Sequence, residues 1–137
     1  MVTGSYGTST TYNYTPPTAG NYVVKLSVRD AQSNTVSVDS ATIKVGEQLN
    51  IPTVTRTSGN TTVGSNITVK GTASGGIGSK TYSIYVFKNG KIVNKAAYTS
   101  SDSITFTPGE AGSYRIRVYV QDDVRARVAK ELTLNIS

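Results

Sequence analysis

The sequence predicts an all-β protein, an antiparallel β-sandwich, on three observations. Apolar and polar residues alternate along several short segments, and Tyr114, Ile116, Val118 and Val120 make the clearest run. Thr, Ser, Val, Gly and Tyr dominate the composition, and β-branched and aromatic side chains suit half-buried pleated strands. No segment sustains a 3.6-residue period, so essentially no helix is expected. Only 36% of the 137 residues are hydrophobic, as befits thin sheets that give alternate positions to solvent.

An internal repeat organises the chain. Residues 12–30 read YNYTPPTAGNYVVKLSVRD and residues 104–122 read ITFTPGEAGSYRIRVYVQD. Aligned without a gap, they share Thr15/Thr107, Pro16/Pro108, Ala19/Ala111, Gly20/Gly112, Tyr22/Tyr114, Val28/Val120 and Asp30/Asp122, with aromatics at Tyr14/Phe106. One residue of slack then aligns Ala41, Ile43 and Val45 with Leu132, Leu134 and Ile136. Residues 1–46 are therefore expected to be the C-terminal half of a repeat. Residues 47–52 are expected to be a linker in which Pro52 holds Ile51 extended. Residues 53–137 are expected to be a complete module with room for about seven short strands. The first segment has room for about three strands, and its inner face would lack a second sheet. It is expected either to be partly disordered or to borrow packing from its neighbour or another chain, as in a strand-swapped dimer.

Within the complete module the elements follow in order. Pro52 to Arg56 begins a first strand, and residues 66–71 alternate with Ile67 and Val69 inward. Ala73 to Ser79 is Gly-rich and reads as a loop. Lys80 to Phe87 places Tyr82, Ile84 and Val86 on one side and Tyr85 and Phe87 on the other. Asn89-Gly90 is a two-residue hairpin signal, because both residues tolerate the positive φ of a type I′ turn. Ile92 to Ala97 returns, and Ser103 to Thr107 is the next strand. Pro108 to Gly112 is a turn that recurs at Pro16 to Gly20. The tyrosine two residues further on, Tyr22 or Tyr114, is placed to send its hydroxyl back to the turn backbone. The long Tyr114–Val120 strand turns at residues 121–123 into a last strand with Leu132, Leu134 and Ile136 inward.

The pattern T-P-x-x-A-G-x-Y-x-x-x-x-x-V-x-D, followed by a last hydrophobic strand, resembles bacterial immunoglobulin-like surface modules of the three-tyrosine and PKD-related type. The resemblance covers residues 51–137 wholly and 1–46 in part. It implies an immunoglobulin-like antiparallel β-sandwich in tandem repeat, the first repeat incomplete. It also implies an extracellular or cell-surface location in a Gram-positive bacterium, and a role as a spacer or adhesive unit beside wall- or polysaccharide-degrading domains.

Chemistry is constrained by what is missing. Cys and His are both 0, which removes thiolate nucleophiles, disulfides, the commonest general base and the commonest transition-metal ligand. No Ser-x-x-Lys occurs, so the remaining nucleophile pairings also fail. Gly75-Gly-Ile-Gly78 precedes a strand and lacks the helix N-terminus that holds phosphate. Lys70 and Asn135 fall in outward phase, which places them wrongly for a buried Lys–Asn crosslink. Asp30, Asp122 and Asp123 are the one concentrated acidic group. They read either as a Ca²⁺ site between modules or as turn carboxylates satisfied by local hydrogen bonds. No other cofactor and no catalytic residue is expected, and the chain reads as a non-enzyme.

Charge and alternation leave one surface feature. The net charge is +6. Residues 1–46 hold three basic residues (Lys25, Arg29, Lys44) against two acidic ones, and residues 47–137 hold eleven against six. When Tyr114, Ile116, Val118 and Val120 point inward, Arg115, Arg117 and Tyr119 point outward, with Arg127 on the last strand and Tyr85 and Phe87 on the middle strand in the same phase. Adjacent strands would assemble these six into a basic, aromatic stripe. It reads either as a structural face laced by cation–π contacts or as a site for carbohydrate or anionic wall polymer. Expected partners are neighbouring modules, wall polysaccharide or another protein. No nucleic-acid reader motif is visible, and no run approaches the about 18 apolar residues of a membrane helix. The start, Met1 to Gly7, has no basic segment followed by an apolar run and reads as the interior of a longer protein.

Overall fold

The computed structural model describes residue 1 and residues 3–137. Among the described residues there are eleven strands and no helix. They are β1 (Gly20–Tyr22), β2 (Lys25–Arg29), β3 (Thr35–Asp39), β4 (Ile43–Val45), β5 (Asn50–Ser58), β6 (Ile67–Ser74), β7 (Lys80–Lys88), β8 (Lys91–Thr99), β9 (Ser103–Phe106), β10 (Gly112–Asp122) and β11 (Arg127–Ile136). All pairings are antiparallel. The chain divides into two compact units, Met1–Glu47 and Gln48–Ser137.

The second unit holds two sheets, ordered β11-β10-β7-β8 and β5-β6-β9. Strand alternation gives each sheet one apolar face, and the two faces share a core in a sandwich-like all-β fold. Val54, Ile67, Val69, Ile104 and Phe106 come from one sheet, and Ile84, Val86, Tyr114, Ile116, Val118, Val120 and Ile136 from the other. Leu132 and Leu134 are partly buried against this core. Lys88 pairs with Lys91 across the Asn89-Gly90 turn, where φ is +49° and +76°, the positive values that a two-residue type I′ hairpin requires. Strand β5 begins at Asn50, inside the expected linker, with Leu49 and Ile51 in the core. Pro52 is tolerated there because the β5–β6 register is irregular between Asn50 and Thr53, and proline in a sheet is confined to edges and bulges.

The first unit contains the pairs β1–β4 and β2–β3, which form the two arms of one interrupted hairpin. Its rungs match those of β10–β11. Gly20 pairs with Val45 and Tyr22 with Ile43, as Gly112 pairs with Ile136 and Tyr114 with Leu134. Lys25 pairs with Asp39, as Arg117 pairs with Glu131. Between these rungs Val23 and Val24 face three residues, 40–42, whereas Arg115 and Ile116 face only Leu132 and Thr133. The residue of slack in the sequence alignment is thus a β-bulge. Ser40 compensates for the broken ladder: the Val24 N–H donates to Ser40 Oγ at 3.0 Å, and the Ser40 N–H donates to Val24 O at 2.8 Å.

Residues 11–15, which align with β9, form no strand. The aligned strand β9 is held by hydrogen bonds to β6, and among the described residues of the first unit no strand plays the part of β6. Tyr14 still packs on Tyr22, with centroids 6.3 Å apart, as Phe106 packs on Tyr114 at 5.9 Å. Leu26 and Val28 are each 57% exposed, while the aligned Val118 and Val120 are fully buried. Val36 and Val38, opposite them on β3, are exposed too.

Close approach of the second unit's sheets depends on Gly71 in β6. A Cβ there would lie 2.7 Å from Val118 Cγ1, inside van der Waals contact. Gly71→Ala is expected to destabilise this unit by about 1–3 kcal/mol through overpacking, read as a lower urea midpoint with an unchanged slope.

Candidate functional site

The outer face of the four-stranded sheet is organised in cross-strand rows. Arg115 lies between Thr133 and Phe87, and Arg117 between Glu131 and Tyr85. Tyr119 lies between Ala129 and Ser83, and Gln121 between Arg127 and Thr81. The six residues of the expected stripe therefore share one face of three adjacent strands. Ala129 and Ser83, on either side of Tyr119, are small and leave low ground beside it. Tyr85, Tyr98, Tyr119 and Arg127 rise around this floor, and the result is an open groove of about 580 Å³ that extends to Phe87 and Ile92. Volumes of about 300–1,000 Å³ are usual for small-ligand sites.

Arg115 and Arg117 stand beside the groove and do not line it. The Arg115 guanidinium sits 5.0 Å from the Phe87 ring centroid and 3.8 Å from Glu131 Oε1. Arg117 donates from Nε to the same carboxylate oxygen, forms an ion pair with it through Nη2, and donates from Nη1 to the Tyr119 hydroxyl at 3.1 Å. The Tyr119 and Glu131 hydrogen bonds raise the Arg117 pKa above its ordinary value. Tyr119 meets Tyr85 edge-on at 5.7 Å, and Tyr85 stacks with Phe87 at 6.2 Å. Arg127 donates Nε–H to Gln121 Oε1 at 2.8 Å and lies 5.5 Å from the Tyr98 centroid.

The alternation of β10 reveals the rows, but it does not reveal Tyr98 or the floor. Strand β8 slips register twice against β7. Ala96 lies opposite the buried Ile84, yet Ile92, of the same parity, lies opposite the outward Phe87. No single phase fits β8, so a period-two reading could not assign Tyr98 to this face.

The acidic group falls into separate tasks. Asp30 lies in the first unit, and Asp122 and Asp123 in the second. Asp30 Oδ1 accepts from the N–H groups of Gln32 (2.9 Å) and Asn34 (2.8 Å), and Asp122 Oδ1 accepts from those of Val124 (3.1 Å) and Ala126 (2.9 Å). Each Asp thus closes its hairpin turn with the same i+2 and i+4 amides. Asp122 is buried, where a solvated turn is expected, because its Oδ2 also takes the Ile77 N–H at 2.9 Å. Asp123 Oδ2 takes the Ser79 N–H at 2.9 Å. Together they clasp the Gly-rich loop. Among the described residues no three Asp or Glu gather as a metal site, and carboxylate oxygens engaged by amides do not make the six-to-eight-oxygen shell of Ca²⁺.

No family model and no curated protein matches this chain.

The Ile77 hydrogen bond, with those of Ala126 and Val124, holds the Asp122 carboxyl below its ordinary value of 3.8 despite burial. A depressed carboxylate contributes stability above the unfolded-state pKa, and that stability is lost as pH falls through the lower folded value. Asp122→Asn is therefore expected to lower the melting temperature most at neutral pH, and the gap from wild type is expected to narrow below about pH 4. Thermal unfolding of both proteins across the acid range checks this.

Proposed function

We propose that the chain is a non-catalytic structural and interaction module of a larger bacterial cell-surface or secreted protein, built of immunoglobulin-like units in tandem with the first one incomplete. The observation that supports it best is the shared turn-and-hairpin device. The Tyr22 hydroxyl donates to Thr18 O at 2.7 Å and the Tyr114 hydroxyl to Glu110 O at 3.0 Å, each reaching the carbonyl four residues upstream. This is the geometry of the tyrosine corner in Greek-key sandwiches. The hairpin that follows keeps the same rungs in both units and ends at the same aspartate-closed turn. A reused scaffold without His or Cys suits a mechanical or docking task better than turnover.

A second reading, binding of carbohydrate or anionic wall polymer, is favoured by one further observation: the outer face is concave and walled by tyrosines. Scaffold packing does not demand that composition. The first unit has Val23, Lys25 and Ser27 where the second has Arg115, Arg117 and Tyr119.

Co-sedimentation with purified Gram-positive cell walls tests both readings. The non-catalytic reading expects no release of soluble wall fragments, and steady release would contradict it. Wall binding by the wild type that falls at least about fivefold in Tyr85→Ala, the loss expected for a stacking contact of about 1 kcal/mol, supports the second reading. Wild-type protein that stays in the supernatant at every salt concentration leaves the spacer role alone.

A further inference from the structure

The groove over Ser83 and Ala129 joins two recognition elements that no single simple ligand class satisfies. Its walls are aromatic, and its end is a guanidinium. We propose that it binds a carboxylated pyranose, a uronate-type sugar within an acidic polysaccharide. The proposal rests on the glycan reading above and narrows it to one sugar chemistry.

The walls argue for a ring. Tyr85, Tyr98 and Tyr119 surround a floor only as high as Ala129 and Ser83. Such a slot accepts a flat, partly apolar body, and the tyrosine hydroxyls supply polar points at its margin. The guanidinium argues for a carboxylate. Arg127 is held in place by Gln121 at Nε and by the Tyr98 ring beneath it. Its two terminal nitrogens remain, arranged in the planar fork that fits a carboxylate with two parallel hydrogen bonds. Among the described residues no carboxylate pairs with Arg127, and none lines the groove.

The neighbouring charges do not neutralise this end. Glu131 is shared by Arg115 and Arg117, so the face carries three guanidinium groups against one carboxylate. Lys95, opposite Tyr85 on β8, adds another positive charge. A neutral glycan would use the walls and leave Arg127 without its counter-charge. A polyanion without rings would use Arg127 and leave the walls idle. A ring bearing its own carboxylate uses both.

The test is calorimetric titration of the full chain with trigalacturonate, its neutral methyl ester, polyphosphate and a single-stranded oligothymidylate, with amide NMR shifts to locate each ligand. The acid is expected to bind at least about tenfold tighter than its ester, with shifts centred on Ser83 and Ala129. Arg127→Ala is expected to remove that preference, so that acid and ester bind the variant equally. Tyr98→Ala is expected to weaken both sugars, and Lys44→Ala neither. Equal binding of acid and ester would overturn the carboxylate assignment and leave the glycan reading standing. Binding of polyphosphate or oligothymidylate as tight as that of the acid, at the same amides, would overturn the sugar assignment. If neither sugar form binds while wall sedimentation remains positive and sensitive to Tyr85→Ala, the uronate proposal alone falls. If both experiments are blank, the glycan reading falls with it.

Discussion

Strand β10 is hydrogen-bonded along both edges, to β11 on one side and β7 on the other. This double pairing fixes its period-two phase, because slipping either ladder by one residue would drive Arg115, Arg117 and Gln121 into the core and expel Ile116, Val118 and Val120. Everything else in the second unit hangs on that choice. The inward set meets the β5-β6-β9 sheet across a gap narrow enough to need Gly71. The outward set supplies the ridge beside which the groove opens. Core and working surface are therefore the two sides of one strand.

The first unit shows what the same alternation gives without an opposing sheet. Its hairpin keeps the rungs, the tyrosine hydroxyl bond and the turn-closing aspartate. It does not bury Leu26, Val28, Val36 or Val38. Burial of one such side chain is worth about 1.5–3 kcal/mol, and an isolated two-stranded hairpin is marginal in water. Local hydrogen bonds thus specify the shape of the hairpin, but its stability has to come from apolar contact with another layer.

Features set by short-range rules were legible in the sequence. The inward run from Tyr114 to Val120, the Asn89-Gly90 turn and the outward phase of Tyr85 and Phe87 all follow from alternation or turn chemistry. The likeness of the two hairpins was legible because residues 12–30 and 104–122 share their turn and strand residues, Asp30 and Asp122 among them. Features that depend on two segments meeting were not. Asp122 looks like a turn residue until Ile77 is brought against it. Leu49 and Ile51 look like linker until the core claims them. Tyr98 was hidden by the two register slips of β8, and the groove by the chance of finding Ala129 and Ser83, 46 residues apart, on one row.

Solvent paramagnetic relaxation of side-chain signals, using a neutral soluble relaxation agent, reads the two sides of β10 separately. Strong relaxation is expected at the Tyr119 ring, the Tyr98 ring and the Arg115 side chain, little at the Ile116, Val118 and Val120 methyls, and strong relaxation again at the Leu26 and Val28 methyls. Leu26 and Val28 as well shielded as Val118 and Val120, or β10 without alternation, would contradict this arrangement.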